Sequence, residues 1–527
     1  MEIKRKLIKK FEQFLGAKLL YLADKAQESI FNIDKHDLVP ACRYLVEVHE
    51  ARLFTMVGCD ERPIHGNFAV YYVFAFDKLQ HFITVRILLS EDDPTFPSLC
   101  AYLPALNWYE REVNDLLGLR AQGHPNRAPL IFHCDMPANF YPLRKDFDAI
   151  KTEITGEVRD SFVNYAGSDV TEIPVGPIHA GIIEPGHFRF GAVGDTVLHL
   201  DARLFYTHRG IEKSLEGKTF AQARFMVERI CCVCNVSHST AFAQAIEQAA
   251  QTIVPVRAKY LRTLWLELER LYNHVGDVGN ICAGYGFAVG ASQGARLRQQ
   301  LLELNERLSG HRYLRGMVMP GGVAQDLSKN DINDIVNNLN KLDIDFQELV
   351  DILLGHEIAI DRMATTGILN YRQAIDLGVV GVAARASGVD IDCRRDFPYA
   401  AYDRLDFPVI VEQQGDVLAR IKVRILEVFN SILLLRQIIS DLPSGSIKTE
   451  LAPIAAYTSS FGWTESARGE NCHWLMVGPE QTIYRYRIRS AAYSNWPAVP
   501  ITVPGNIVAD FPLINKSFEL CYSCCDR

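Results

Sequence analysis

Apolar residues recur at i, i+3, i+4 and i+7 over residues 256–275, 294–308, 332–354 and 417–439, the spacing that makes one helix face a continuous stripe. These stretches predict long, core-building helices. The N-terminal run MEIKRKLIKKFEQFLGAKLL carries the same period with a charged opposite face, so an amphipathic helix is expected there. The rest of the first 147 residues is patterned differently: residues 44–48, 68–76 and 82–89 are dense in Val, Ile, Tyr and Phe and are separated by Pro, Gly and Asp. They predict strands. Residues 148–173 are polar and weakly periodic, which predicts a linker. A β-like opening follows Pro174, and the alternation TIYRYRIR over 482–489 predicts a late strand. The expected class is α+β: a small α+β domain over 1–147, the linker over 148–173, and a large, mainly helical domain over 174–527.

Composition narrows the functions open to such a chain. Its 527 residues leave room for about 3 to 4 domain-sized units, or fewer if one is large. Hydrophobic residues at 48% and charged residues at 22% exclude a disordered chain and a coiled-coil rod. A formal charge of -8, with no basic run beyond the short KRKLIKK of the N-terminal helix, gives no field for nucleic-acid binding. The longest apolar stretch, FAVYYVFAF over 68–76, is far short of the ~20 residues that span a bilayer. The N-terminus lacks the dense apolar stretch and cleavage site of a secretory signal, so a cytoplasmic location is expected. Thirteen cysteines, an odd number in no regular framework, are expected as reduced thiols, some of them serving metals.

Two Cys-x-x-Cys units stand out, Cys231 with Cys234 and Cys521 with Cys524, about 290 residues apart. Two residues between thiols let both sulfurs face one ion. Incidental or buried thiols are the plain alternative, and a zinc ribbon would set its pairs roughly 15 to 20 residues apart. Four thiolates are soft donors that suit nickel, iron, copper(I) or zinc. His238, four residues after Cys234, could orient a thiolate from the same helix face or be a core histidine. His187 and His274 lack partners at ligand spacing and read as structural.

The flanking residues decide among these metals. ERICCVCNVSH over 228–238 and CYSCCDR over 521–527 resemble the paired motifs RxCGxCxxxH and CxxCxxH/R of nickel-iron hydrogenase large subunits. HGNFAVYY (65–72), WYEREV (108–113), YPLRKD (141–146), GPIH (176–179), EPGHFR (184–189), ERL (269–271), ARG (467–469) and YSNW (493–496) extend the likeness over nearly the whole chain. It is similar to the catalytic subunit of membrane-bound, complex I-like (group 4) hydrogenases of the formate hydrogenlyase and hydrogenase-4 type. In these, a domain like the 30-kDa subunit of complex I precedes one like its 49-kDa subunit.

The resemblance implies that Cys231 and Cys521 are terminal nickel ligands, while Cys234 and Cys524 bridge nickel to an iron carrying two cyanides and one carbon monoxide. It makes Cys521 the first proton acceptor and Glu184 the carboxylate that passes the proton on. It sets Arg468 over the open metal position, and Ser494 against a diatomic iron ligand. The bland readings are a turn-capping glutamate, a surface salt bridge and a generic loop serine. The remaining cysteines are scattered singly, so the resemblance implies a separate iron-sulfur small subunit holding a 4Fe-4S cluster. Ferredoxin-like and integral membrane, complex I-like subunits are further expected partners, with a formate dehydrogenase as one electron source. The complex would sit peripherally on the cytoplasmic side of the cell membrane. The chain stops three residues beyond Cys524, where a maturation endopeptidase trims the family, so a processed, metallated form is expected.

Some positions depart from the pattern. Cys232 replaces a glycine between the first two ligands, Glu519-Leu520 replaces Asp-Pro before the third, and Ala467 replaces a proline before Arg468. Asn273 falls near where many hydrogenases have an aspartate beside that arginine. The rival reading is a complex I-like subunit with a degenerate metal site, acting in quinone and electron-transfer coupling or in assembly.

Overall fold

The computed structural model describes residues 2–16, 20–25, 27–134, 136–137, 139–148, 167, 169–179 and 183–527. Most of the expected linker therefore lies outside the described residues. The chain divides into two compact units, residues 1–162 with 376–378, and residues 163–375 with 379–527. Among the described residues no helix is long and apolar enough to cross a membrane.

The smaller unit is built on a five-stranded sheet of β1 (Leu20–Asp24), β2 (Glu28–Ile33), β3 (Arg52–Glu61), β4 (Asn67–Phe76) and β5 (His81–Ser90), in the order β1-β2-β5-β4-β3. The β2–β5 pair is parallel and the others are antiparallel. Strand β4 lies between two neighbours and is buried on both faces, which explains its uninterrupted apolar run. The N-terminal helix Glu2–Leu15 buries Leu7, Phe11 and Leu15 along one stripe, with the Phe11 ring 5.2 Å from Phe31. The helix Asn107–Leu117 lies against β3 at Gly58, where an added Cβ would come within 2.7 Å of Leu117 and 2.9 Å of Val113. WYEREV lies on this helix. Arg111 donates to the Ala128 and Pro129 carbonyls, and buried Glu110 accepts the Leu99 N–H at 2.8 Å.

One expected strand is a helix. Tyr44–Val48 continues directly from the helix Leu38–Arg43, although its residues are of strand type. The upstream signals outweigh composition: Asp34 caps the short 3-10 turn Lys35–Asp37 that leads into the helix, Pro40 suits an early helical position, and Arg43 pairs with Glu47 at i,i+4.

The larger unit opens with an antiparallel sheet, Thr171–Val175, His187–Val193 and Thr196–Arg203. The four periodic stretches form the helices Val256–Gly284, Ala288–Ser309, Lys329–Leu354 and Val417–Ser440. The first packs against both the second and the fourth. A second antiparallel sheet, Ser459–Ser466, Gly469–Val477 and Ile483–Arg489, supports the helix Asn235–Ala249. At Gly462 the two approach so closely that a Cβ would collide with the Ala241 carbonyl. Short helices Ala491–Asn495, Phe511–Phe518 and Tyr522–Asp526 end the chain.

Candidate metal centre

Both cysteine pairs lie where a loop enters a helix. Cys234 is the residue before Asn235–Ala249, and Cys521 is the residue before Tyr522–Asp526. Backbone N–H groups point back at the sulfurs: Val233 N–H donates to Cys231 Sγ at 3.4 Å, and Cys524 N–H to Cys521 Sγ at 3.3 Å. Such donors favour thiolates over thiols.

The first loop is clamped from below by the Val256–Gly284 helix. Tyr272 and Asn273 donate to the Val233 carbonyl at 2.9 and 2.8 Å, and Glu269 accepts the Val236 and Ser237 N–H groups at 2.6 and 3.0 Å. Glu269 thereby satisfies helix donors that have no intrahelical partner. Burial pushes its carboxyl up to about 7 against those hydrogen bonds.

The two pairs converge. The sulfurs of Cys231, Cys234 and Cys524 all lie within 4.8 Å of one another, and all three residues are buried. Cys521, half-buried, interacts with Cys231 and Cys524. Mutual hydrogen bonding holds the Cys231 thiol well below its ordinary pKa and raises Cys234 and Cys521 well above theirs; burial does the same to Cys524. No disulfide joins the described cysteines. Cys232 is exposed while Cys231 and Cys234 are buried, and its backbone is not left-handed, so the position does not require the expected glycine.

Glu184 sits beside the second pair. Its Oε2 is 3.8 Å from Cys521 Sγ and accepts the Ser523 N–H at 2.8 Å, while Oε1 accepts the Ser523 hydroxyl. Gly186, two residues on, packs so closely on Tyr522 that a Cβ there would come within 2.5 Å of the ring.

Arg468 occupies the tight turn between strands Ser459–Ser466 and Gly469–Val477, where Gly469 takes a φ of +129°. It is buried and forms a two-pronged pair with Asp277, Nη1 to Oδ2 at 2.6 Å and Nη2 to Oδ1 at 2.9 Å. Glu519 lies 4.0 Å away. Burial opposes the guanidinium charge, yet Asp277 and Glu519 outweigh it and keep the pKa above its usual value. Asp277 is held at about 2, with Arg468 overcoming its burial. The Nε of Arg468 is a buried donor without a partner among the described residues.

The arginine's carboxylate therefore comes from Asp277, one helical turn after the Asn273 singled out by resemblance. Asn273 instead braces the cysteine loop. Ser494 gives its backbone N–H to the Ser490 carbonyl, and it is the Ser490 hydroxyl that donates to the Cys524 carbonyl at 2.8 Å. His238 faces Cys524, with Nε2 3.4 Å from Sγ, and its Nδ1 meets His473 Nε2 at 2.8 Å. Burial lowers the His238 pKa to about 4 and holds His473 well below its ordinary value. His187 and His274 lie in other contacts, the first against the Gly176 carbonyl and the second against Glu427. Asp277 could have been found as the next carboxylate on the helix face of Asn273, whereas nothing in the spacing pointed to His473.

The donor set fits a soft metal pair: four reduced thiols from two loops, a buried cation, and a carboxylate at the half-buried thiol. Three family models match the chain. The nickel-dependent hydrogenase model covers residues 209–277, that of the respiratory-chain NADH dehydrogenase 49 Kd subunit covers 285–460 and 455–527, and that of the 30 Kd subunit covers 31–153. Formate hydrogenlyase subunit 5 of Escherichia coli is 37% identical over 90% of this chain and 84% of its own length. Hydrogenase-4 component G of the same organism is 34% identical over 98% of this chain and 91% of its own. The carbon monoxide-induced hydrogenase of Rhodospirillum rubrum is 32% identical over 67% of this chain and 99% of its own.

Proposed function

The chain belongs to the family of nickel-dependent, complex I-like hydrogenase large subunits, and on that premise we propose that it interconverts H2 with protons and electrons at a nickel-iron centre held between its two cysteine pairs. The carrying observation is the meeting of Cys231 and Cys234 with Cys524 in one buried cluster, with half-buried Cys521 in contact with Cys231 and Cys524. Cys231 and Cys521 would hold nickel at its ends, and Cys234 and Cys524 would bridge it to an iron bearing two cyanides and one carbon monoxide. When bound, that group would supply the Lewis-acidic, redox-active position at which H2 is split into two protons and two electrons, one proton leaving at a time.

The protein's own side chains handle the proton. Cys521 Sγ accepts it and passes it to Glu184 Oε2, which the Ser523 N–H holds in place. Arg468 keeps its charge through Asp277, and its Nε–H, without a partner among the described residues, would be a donor for a diatomic ligand beside the incoming gas. Ser494, by family position, would face an iron ligand. Electrons would leave through the 4Fe-4S cluster of a small subunit, then through ferredoxin-like subunits. Integral membrane subunits would anchor the assembly to the cytoplasmic face of the cell membrane, with a formate dehydrogenase as one electron source and an endopeptidase acting on the precursor.

Infrared spectroscopy of the purified complex, with elemental analysis, tests this reading. About one nickel per chain together with cyanide and carbon monoxide bands is the expected result. A nickel-free, fully assembled complex would favour a complex I-like subunit with a degenerate site.

A further inference from the structure

Cys524 ends a line of three side chains buried from solvent. His238 turns Nε2 to its sulfur, His473 turns Nε2 to His238 Nδ1, and Tyr486 turns its hydroxyl to His473 Nδ1 at 2.5 Å. The three come from different elements: His238 from the helix Asn235–Ala249, His473 from Gly469–Val477, and Tyr486 from the adjoining strand Ile483–Arg489.

The positions of the hydrogens follow from the contacts. A single hydrogen lies between the two imidazoles, because facing N–H groups repel and facing lone pairs make no bond. The phenol's hydrogen-bond partner among the described residues is His473 Nδ1. A buried hydroxyl hydrogen left unmatched is costly, so Tyr486 donates. With Nδ1 accepting, His473 carries its hydrogen on Nε2 and gives it to His238 Nδ1. His238 is then left with its hydrogen on Nε2, aimed at Cys524.

We propose that His473 and Tyr486 are positioning residues of the metal centre, fixing the His238 tautomer so that Nε2–H donates to the Cys524 thiolate. This rests on reading Cys524 as a metal ligand. The opposite polarity would set a nitrogen lone pair against the sulfur. A thiolate that accepts a hydrogen bond gives less electron density to its metal, so the line raises the potential of the centre and the stretching frequencies of carbon monoxide and cyanide on iron.

The test uses the metal-loaded complex and reads nickel content, infrared band positions and reduction potential. His473→Leu breaks the line. His473→Gln preserves its polarity, since an amide can accept from Tyr486 with oxygen and donate to His238 with nitrogen. Tyr486→Phe removes the first donor by deleting one hydroxyl. In His473→Leu the carbon monoxide and cyanide bands should move together to lower wavenumber and the potential should fall, with nickel retained. Tyr486→Phe should shift them the same way by less, and His473→Gln should stay near wild type. Wild-type bands in the two line-breaking variants, or a His473→Gln shift as large as that of His473→Leu, would overturn the inference alone. If His473→Leu fails to take up metal, Tyr486→Phe decides. A wild-type complex lacking nickel and these bands removes the reading of Cys524 as a ligand, and the inference with it.

Discussion

Glu184 is joined to the cysteine cluster from both directions, by Cys521 across 3.8 Å and by the Ser523 backbone at 2.8 Å. Glu184→Gln keeps the shape and the acceptor but cannot carry a proton. H2 evolution should fall by about 10²–10⁴-fold while nickel content and infrared bands stay unchanged. Arg468→Lys retains a charge but gives up the two-pronged pair with Asp277 and the Nε donor. H2 oxidation should drop by about 10²–10³-fold with nickel retained, as the gas-uptake assay and elemental analysis together would register. Cys232→Ser acts on an exposed thiol outside the cluster of Cys231, Cys234 and Cys524. Its stability should lie within about 0.5 kcal/mol of wild type, with full nickel loading, whereas Cys231→Ser should lose the metal.

Elements place these residues through a few exacting contacts. Gly462 lets the Asn235–Ala249 helix settle on its strand, and Glu269 fills the helix end beside Cys234. In the smaller unit, the Asn107–Leu117 helix buries Glu110, whose carboxyl is pushed up to about 7 by burial in spite of hydrogen bonds from Ser98 and Leu99. The native state then binds more protons than the unfolded chain between the ordinary value of 4.5 and about 7. Stability is greatest below that window and is lost as pH rises through it, by on the order of 3 kcal/mol from this group. Urea midpoints across the window should fall with rising pH, and Glu110→Gln should flatten the slope. Glu269 and Glu519, also pushed up to about 7, would keep it from vanishing.

At the scale of the molecule, the cluster ties the loop before Asn235–Ala249 to the last helix of the chain. A metal held by both loops binds the folded state alone, so loading should stabilise the larger unit. Protein produced without nickel should unfold at lower temperature and expose Cys521–Cys525 to thiol labelling. Equal melting and equal labelling with and without nickel would contradict a ligand set drawn from both loops. Behind the site, buried charges continue through the helices: Asp277 meets Arg424 at 3.3 Å, and His274 links it to Glu427 and Arg385. Removing one member of such a buried pair costs about 3–5 kcal/mol, because the other charge is left uncompensated.

The sequence by itself determined the long helices, since a stripe of period 3.6 is a local property and burial of that stripe is the only stable use for it. It determined the strands over 68–76 and 82–89 by their density of β-branched and aromatic residues between turn residues, and it marked the cysteine pairs by spacing. It misled at Tyr44–Val48, where strand-type residues continue a helix already started by the capped turn Lys35–Asp37 before it. Only the tertiary structure decided that Asp277 pairs with Arg468, that Cys232 turns outward, that Ser490 reaches the Cys524 carbonyl, and that His473 and Tyr486 stand behind His238. Each depends on the rotation of one element against another, set by packing among residues hundreds of positions apart, and no periodicity within a segment encodes that angle.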